Sequence, residues 1–305
     1  MVSIVTKIIK GKEYLYLVAS LRKGDRVVQK MIKYIGPKRP IPALEFECIK
    51  RSYKNEDWVL LDWKDELSYK EHQEMKNASD THNQYLATLD HISTEKEKQK
   101  FLSEFISSSN AIEGSTLTSK ETFDFLFKDI VPRGHDKKEL FMATNMLEAW
   151  KYVESNKTLF PTHKDLHELH KLVNKGIESD LTLGKYKKVQ NYIGDVYTSS
   201  YLFTEEKMEQ LLRWVKKAYS KIDDFEVAFQ SHAQFEIIHP FVDGNGRTGR
   251  LLLNWLLMMK KLMPLAIRNK KRGEYIAALE NSRRGKIEAI SKFCFSEYMK
   301  QYEFV

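Results

Sequence analysis

Twelve consecutive residues, His239-Pro240-Phe241-Val242-Asp243-Gly244-Asn245-Gly246-Arg247-Thr248-Gly249-Arg250, hold an imidazole, a carboxylate, two guanidinium groups and three glycines. A histidine can take a proton from a hydroxyl near neutral pH. An aspartate can hold a divalent cation between phosphates. Arg247 and Arg250 are three apart, so they share a helix face and can each grip a phosphate with a guanidinium fork. Gly244 and Gly246 let the backbone curl so that successive N–H groups point at one oxyanion. Each residue alone is better read as a helix cap, a surface arginine or a core histidine. Together, at this spacing, they can move a phosphoryl-type group from a nucleoside triphosphate.

Two helices must position this stretch. Phe225 to Ile238 reads as an amphipathic helix, with Ala228, His232, Phe235 and Ile238 near one face. Leu251 to Met259 is apolar nearly all round, which predicts a helix buried inside a domain. The twelve residues therefore form a loop that runs into the N-terminus of a buried helix. Unpaired N–H groups and the helix dipole favour an anion there. The stretch has neither the GxxxxGK[ST] nor the GxGxxG pattern.

The loop resembles the Fic family signature, HxFx[DE]GNGRxxR, at every specified position. The resemblance extends over roughly residues 95–300 and implies a mostly α-helical core with one β-hairpin, the flap. Most Fic enzymes transfer AMP from ATP to a hydroxyl side chain of a protein. The resemblance then implies His239 as general base and Asp243 as the holder of Mg2+ (or Mn2+). Gly244, Asn245 and Gly246 would cradle the α-phosphate, Arg247 the β-phosphate and Arg250 the γ-phosphate. Ser109-x-x-x-Glu113-Gly114 resembles the family's [ST]xxxE[GN] inhibitory motif, so Glu113 is expected to pair with Arg250 from a helix over about 95–114. The stretch Gly184 to Gly194 is bounded by glycines and alternates Val189, Asn191 and Ile193, which reads as a hairpin. In the family a hairpin so placed docks the target segment, which would involve Val189, Gln190, Asn191, Tyr192 and Ile193. Tyr275, in a segment resembling the family's aromatic-x-x-Ala-Leu, is either an adenine-side residue or a core tyrosine. Removal of AMP, transfer of another nucleotide or of phosphocholine, and a purely regulatory role are the alternatives.

The remaining sequence sets the context. Residues 3–35 predict a three-stranded meander over Ile4–Ile9, Tyr14–Ala19 and Val27–Ile35, closed at Gly36-Pro37. Residues 1–40 carry ten Lys/Arg against two acids, a net +8, and the other 265 residues balance at 40 against 40. This basic sheet is read first as a solvated face, with nucleic acid or an acidic protein as less favoured partners. Residues 41–92 form a helical connecting region with Leu60, Leu61, Trp63, Leu67, Tyr85, Leu86, Leu89 and Ile92 as apolar anchors. Residues 93–305 are the expected Fic domain, opening on a helix capped near Ser93-Thr94-Glu95. The chain leaves no room for the winged helix that follows the core in many members. His163, His167 and His170 share a helix face but lack a carboxylate to complete a metal site, which favours packed histidines. Two distant cysteines and no signal-peptide or membrane-length apolar run point to a soluble cytoplasmic protein. Expected partners are ATP and a protein target, with self-modification and a homodimer open.

Overall fold

The computed structural model describes residues 2–23, 26–60, 62–193 and 196–303. Leu61, Gly194, Gly24 and Asp25 lie outside them. The chain opens with an antiparallel sheet of β1 (Val2–Ile9), β2 (Lys12–Lys23) and β3 (Arg26–Pro37), with β2 in the middle. The strands are longer than expected. Pro37 ends β3 rather than following it, because an edge strand tolerates a missing N–H. Leu17 of β2 meets Ile49 of α1 (Ala43–Tyr53) and Phe203, which seats the sheet on the helical body.

The helices follow as α2 (Tyr69–Thr88), α3 (His91–Ile112), α4 (Ser119–Lys128), α5 (Lys137–Asn156) and α6 (His163–Asn174). A two-residue hairpin, β4 (Tyr192–Ile193) with β5 (Val196–Tyr197), precedes α7 (Thr204–Ala218). Then come α8 (Asp224–Ile238), α9 (Asn245–Met259), α10 (Arg272–Arg283) and α11 (Glu288–Tyr302). Most termini follow local capping chemistry: Ser68, Thr118 and Thr162 each close a capping box.

Several expectations need correction. The helix before Glu113 starts two residues early, because Asp90 caps it by accepting from the Ser93 amide at 2.8 Å. Trp63, Tyr85 and Ile92 are exposed rather than anchoring. The helix over Phe225 to Ile238 is not amphipathic in place: every residue of that span is buried, since α7, α9, α10 and α11 surround it. The hairpin is shorter and later than the alternation suggested. Val189, Gln190 and Asn191 precede β4, and the strands pair Tyr192 with Tyr197 and Ile193 with Val196. The apolar circumference of α9 has its expected cause. Leu252 and Leu256 enter one core with Phe229 and Phe235, while Leu251 and Trp255 enter another with Phe105 and Trp150.

Candidate active site

The site lies where α8 stops and α9 starts. α8 ends because His239 takes a left-handed conformation, φ 51° and ψ 63°, while its amide still donates to the Phe235 carbonyl at 2.8 Å. A left-handed histidine costs about 1–2 kcal/mol, so its surroundings must hold it. They do so on both the side chain and the backbone. Glu236, one turn earlier, places a carboxylate oxygen 3.6 Å from His239 Nδ1. Burial disfavours that carboxylate's charge, but His239, His232 and Arg250 hold its pKa below the usual range. The loop carbonyls are gripped from the flap side. Lys187 Nζ donates to the Ile238 carbonyl at 3.1 Å, and the Lys187 amide to Pro240 at 2.8 Å. Asn191 Nδ2 donates to the Phe241 carbonyl at 2.7 Å and reaches that of His239 at 3.4 Å.

The turn into α9 is closed by its own side chains. Asn245 accepts from the Phe241 amide at 2.8 Å and donates to the Phe241 carbonyl at 2.9 Å. Phe241 is fully buried and stacks on His170 with centroids 4.0 Å apart. Gly244, at φ 70°, caps the helix, and a Cβ there would collide with the Asn174 side chain. Among the described residues no protein group accepts from the amides of Asn245, Gly246 and Arg247, the open donors of a helix start. Gly246 matters for a second reason: a Cβ on it would collide with the Glu113 carboxylate and Arg250. Glu113 therefore sits against the first turn of α9, where the dipole favours an anion.

Arg250 is 1% exposed. Its Nε donates to Ser109 Oγ at 2.8 Å, and Nη2 donates to the Ser109 carbonyl at 2.9 Å and to Glu113 Oε1 at 2.8 Å. Burial opposes its charge, but Tyr275 and Glu113 hold the guanidinium pKa above its ordinary value. Glu113 is delivered as the C-cap of α3, whose end is fixed by Arg272 donating from Nε to the Ile112 carbonyl at 3.1 Å.

A cleft of about 170 Å³ opens between these parts, lined by Glu113, Ile193, Glu236, His239, Gly246 and Arg250 among others. Tyr275 also borders it, but is 1% exposed, and its hydroxyl engages His232 Nε2 at 2.8 Å. Arg247 does not line this cleft. It is buried against α6, donating to Asn174 Oδ1 at 2.9 Å. Ile193 borders the cleft, whereas Val189 is 60% exposed and Tyr192 38% exposed on the outside of the flap. Asp243 presents an exposed carboxylate with one oxygen on the Gly244 amide at 2.7 Å. Among the described residues no group of three or more His, Cys, Asp or Glu is placed to hold a metal. One carboxylate beside open helix amides fits a hard divalent cation that takes its other ligands from phosphate and water.

The three histidines of α6 acquire partners from elsewhere. Glu209 reaches His163 at 3.0 Å, Glu178 reaches His170 at 3.2 Å, and His167 packs on the Tyr186 ring. Tertiary structure thus supplies the carboxylates that local spacing lacked, but at separate histidines. Glu236, Lys187 and Asn174 are site residues that sequence reasoning passed over. The i, i+3 spacing of Glu236 and His239 was the one local signal for any of them.

The Fic/DOC family matches residues 160–257. Among similar curated proteins, the protein adenylyltransferase Fic of Nematostella vectensis is 33% identical over 189 residues, 61% of this chain and 44% of that protein. Protein adenylyltransferase fic-1 of Caenorhabditis elegans is 29% identical over 189 residues, 60% of this chain and 37% of its own length. The chain thus spans less than half the length of these relatives. Among solved structures, Fic-1 from C. elegans superposes with a TM-score of 0.66 at 22% identity, covering 76% of this chain and 71% of that one. A Fic-domain signalling protein from Bacteroides thetaiotaomicron gives 0.68 at 20% identity, covering 76% and 94%. At those identities the likeness speaks to fold alone. A family match that takes in the histidine loop, related sequences across about three-fifths of the chain and a shared helical fold agree that this chain carries a region, residues 160–257, that matches the Fic/DOC family.

Proposed function

We propose that this protein transfers AMP from ATP to a hydroxyl side chain of a protein, itself included, and that Glu113 holds the site in check. The observation that carries the reading is Arg250: it lies beside the open start of α9 and the His239 loop, and its fork is occupied by Glu113 and Ser109. The name adenylyltransferase borne by the relatives supports the same chemistry. The target hydroxyl oxygen attacks the α-phosphorus, its proton passes to His239, and the bond to the β-phosphate oxygen breaks so that pyrophosphate leaves. Glu236 orients the imidazole for that transfer. The amides at Asn245 and Gly246 hold developing negative charge, an oxyanion-type contribution. Asp243 would hold Mg2+ or Mn2+, which supplies charge neutralisation between phosphates. Arg250 takes the terminal phosphate once Glu113 leaves it. Arg247 faces α6, so its contribution to phosphate binding requires its side chain to leave Asn174. Tyr275 backs Arg250, and the adenine would take its place toward Ile276 and Leu279, which line the same cleft.

The test uses ATP labelled at the α-phosphate, with the Glu113→Gly variant beside wild type. Label appearing on protein in the variant supports the reading; no label from any of ATP, GTP, UTP or CTP removes it. A second reading, hydrolytic removal of AMP, draws on the partly exposed Glu113 carboxylate facing the same cleft as His239. Loss of AMP from pre-modified protein with wild type, and not with Glu113→Gly, would favour it.

A further inference from the structure

The N-terminal sheet has two unlike faces. Leu15, Leu17 and Ala19 of β2 are buried, and Leu17 meets Ile49 and Phe203 of the body. Alternation places Tyr14, Tyr16 and Val18 on the opposite face, where Val18 is also buried and the two tyrosines are half-buried. Pairing brings Lys7 across from Tyr14, and Val5 and Tyr34 across from Tyr16. Two register shifts along β2–β3 set Tyr34 beside both other tyrosines, with ring centroids 5.3 Å from Tyr16 and 6.0 Å from Tyr14. The Lys7 ammonium stands 5.3 Å from the Tyr16 ring centre. Tyr34 is 51% exposed, and Met31 beside it 54%.

The charge around this cluster is one-sided. Lys33, Lys38 and Arg39 are paired with Glu206, Glu13 and Glu45. No ion pair among the described residues takes Lys7, Lys10, Lys12, Arg26 or Lys30. Glu13 is the one acid among the described residues of the sheet, and it belongs to Lys38. A face with Tyr34 exposed, Tyr14 and Tyr16 half-buried beside it and Lys7 and Lys12 around them suits a partner with accessible flat rings on a polyanionic backbone. A nucleic-acid strand with unpaired bases has both, whereas a duplex hides its base faces and an acidic peptide would use only the cations.

We infer that this outer sheet face binds single-stranded nucleic acid, with bases stacking on Tyr34 beside Tyr16 and phosphates meeting Lys7 and Lys12. Binding would tether the Fic core near RNA or single-stranded DNA without using the cleft at His239.

The test is fluorescence anisotropy of the full chain with labelled twelve-nucleotide oligo-dT and oligo-U at low and moderate salt. We expect one or both to bind, with affinity falling as salt rises. Tyr34→Ala, at a half-exposed position, should weaken binding about 5- to 100-fold, in line with stacking of roughly 1–3 kcal/mol per base. Lys7→Glu with Lys12→Glu should weaken it and flatten the salt dependence, while Glu113→Gly should leave it unchanged. Absence of binding to both oligomers overturns the inference. So does equal binding of a duplex or of polyglutamate with Tyr34→Ala indifferent, because charge alone would then explain it. None of these measurements requires nucleotide transfer, so they stand or fall apart from the proposed activity.

Discussion

Arg250 offers five N–H donors, and Ser109, Glu113 and Tyr275 supply its acceptors. A hydrogen bond to a charged group is worth roughly 1.5–3 kcal/mol, a bias of about ten- to a hundredfold toward the occupied fork. Glu113→Gly should therefore raise AMP transfer at least about tenfold, measured as label on protein at fixed ATP. Arg250→Ala should not be rescued by Glu113→Gly, because both states then lack the terminal phosphate contact. Equal rates for wild type and Glu113→Gly would sink the inhibitory role. His239→Ala should cost about 10²–10⁴-fold with ATP binding retained, the range for removing a general base. Glu236→Gln should lower kcat more than it changes KM, since the carboxylate orients the base and does not touch ATP. An unchanged kcat there would leave Glu236 a packing residue only.

The hairpin and the loop before α9 behave as one element. Lys187 Nζ is coordinated by Asn191 Oδ1 at 2.7 Å, Thr198 Oγ1 at 3.0 Å and the Ile238 carbonyl at 3.1 Å. Burial pushes this ammonium down to about 7, so the clamp is made from a costly buried group with every donor used. Carbonyls from Ile238 to Phe241 are all held by Lys187 or Asn191, which ties the flap to the left-handed turn at His239. In the Glu113→Gly background, Lys187→Met should lower transfer tenfold or more, an effect of about 1–3 kcal/mol from leaving the Ile238 carbonyl and its neighbouring acceptors unsatisfied. ATP-induced thermal stabilisation should change little, and Lys187→Arg should recover part of the rate. Full transfer by Lys187→Met would show that Asn191, Asn245 and the backbone hold the loop without the ammonium.

Stability of the whole molecule carries the mark of its buried histidines, His232 among them. Burial, largest among the causes, lowers the His232 pKa to about 4 from 6.5. Its Nε2 pairs with the Tyr275 hydroxyl, in the middle of the core that joins α8 to α10. The unfolded chain takes a proton at this histidine below about 6.5, and the folded chain does so only near 4. Unfolding therefore becomes easier as pH falls across that window, with a slope approaching about 1.4 kcal/mol per pH unit. Chemical denaturation at pH 7.5, 6 and 5 should show this slope in wild type and a shallower one in His232→Gln. Parallel slopes would place the titration elsewhere. The sheet contributes at the same scale. Removing residues 1–40 uncovers Ile49 and Phe203, which should lower the melting temperature by a few degrees. Self-modification of the Glu113→Gly protein should survive the removal, because no residue of the cleft comes from the sheet.

The order of helix, loop and helix around His239 was legible because it is local: glycines at a cap, an apolar circumference after it, a carboxylate ending the preceding motif helix. The meander was legible for the same reason, through β-branched runs broken by turns. Which residues meet across the chain was not. Residues 187 and 238, or 174 and 247, come together only because α6 and the flap pack on the start of α9. The full burial of α8 likewise follows from four neighbouring helices and not from its own spacing. The hairpin starts only at Tyr192 because Asn191, which the alternation assigned to a strand, is drawn to the loop carbonyls instead. Arg247 and Arg250 look equivalent at three-residue spacing, yet one turns to α6 and the other to α3, since the faces they share with the dipole are claimed by different helices. Residue types and spacing specify what chemistry a segment can offer; only packing decides which partner each polar group is left with.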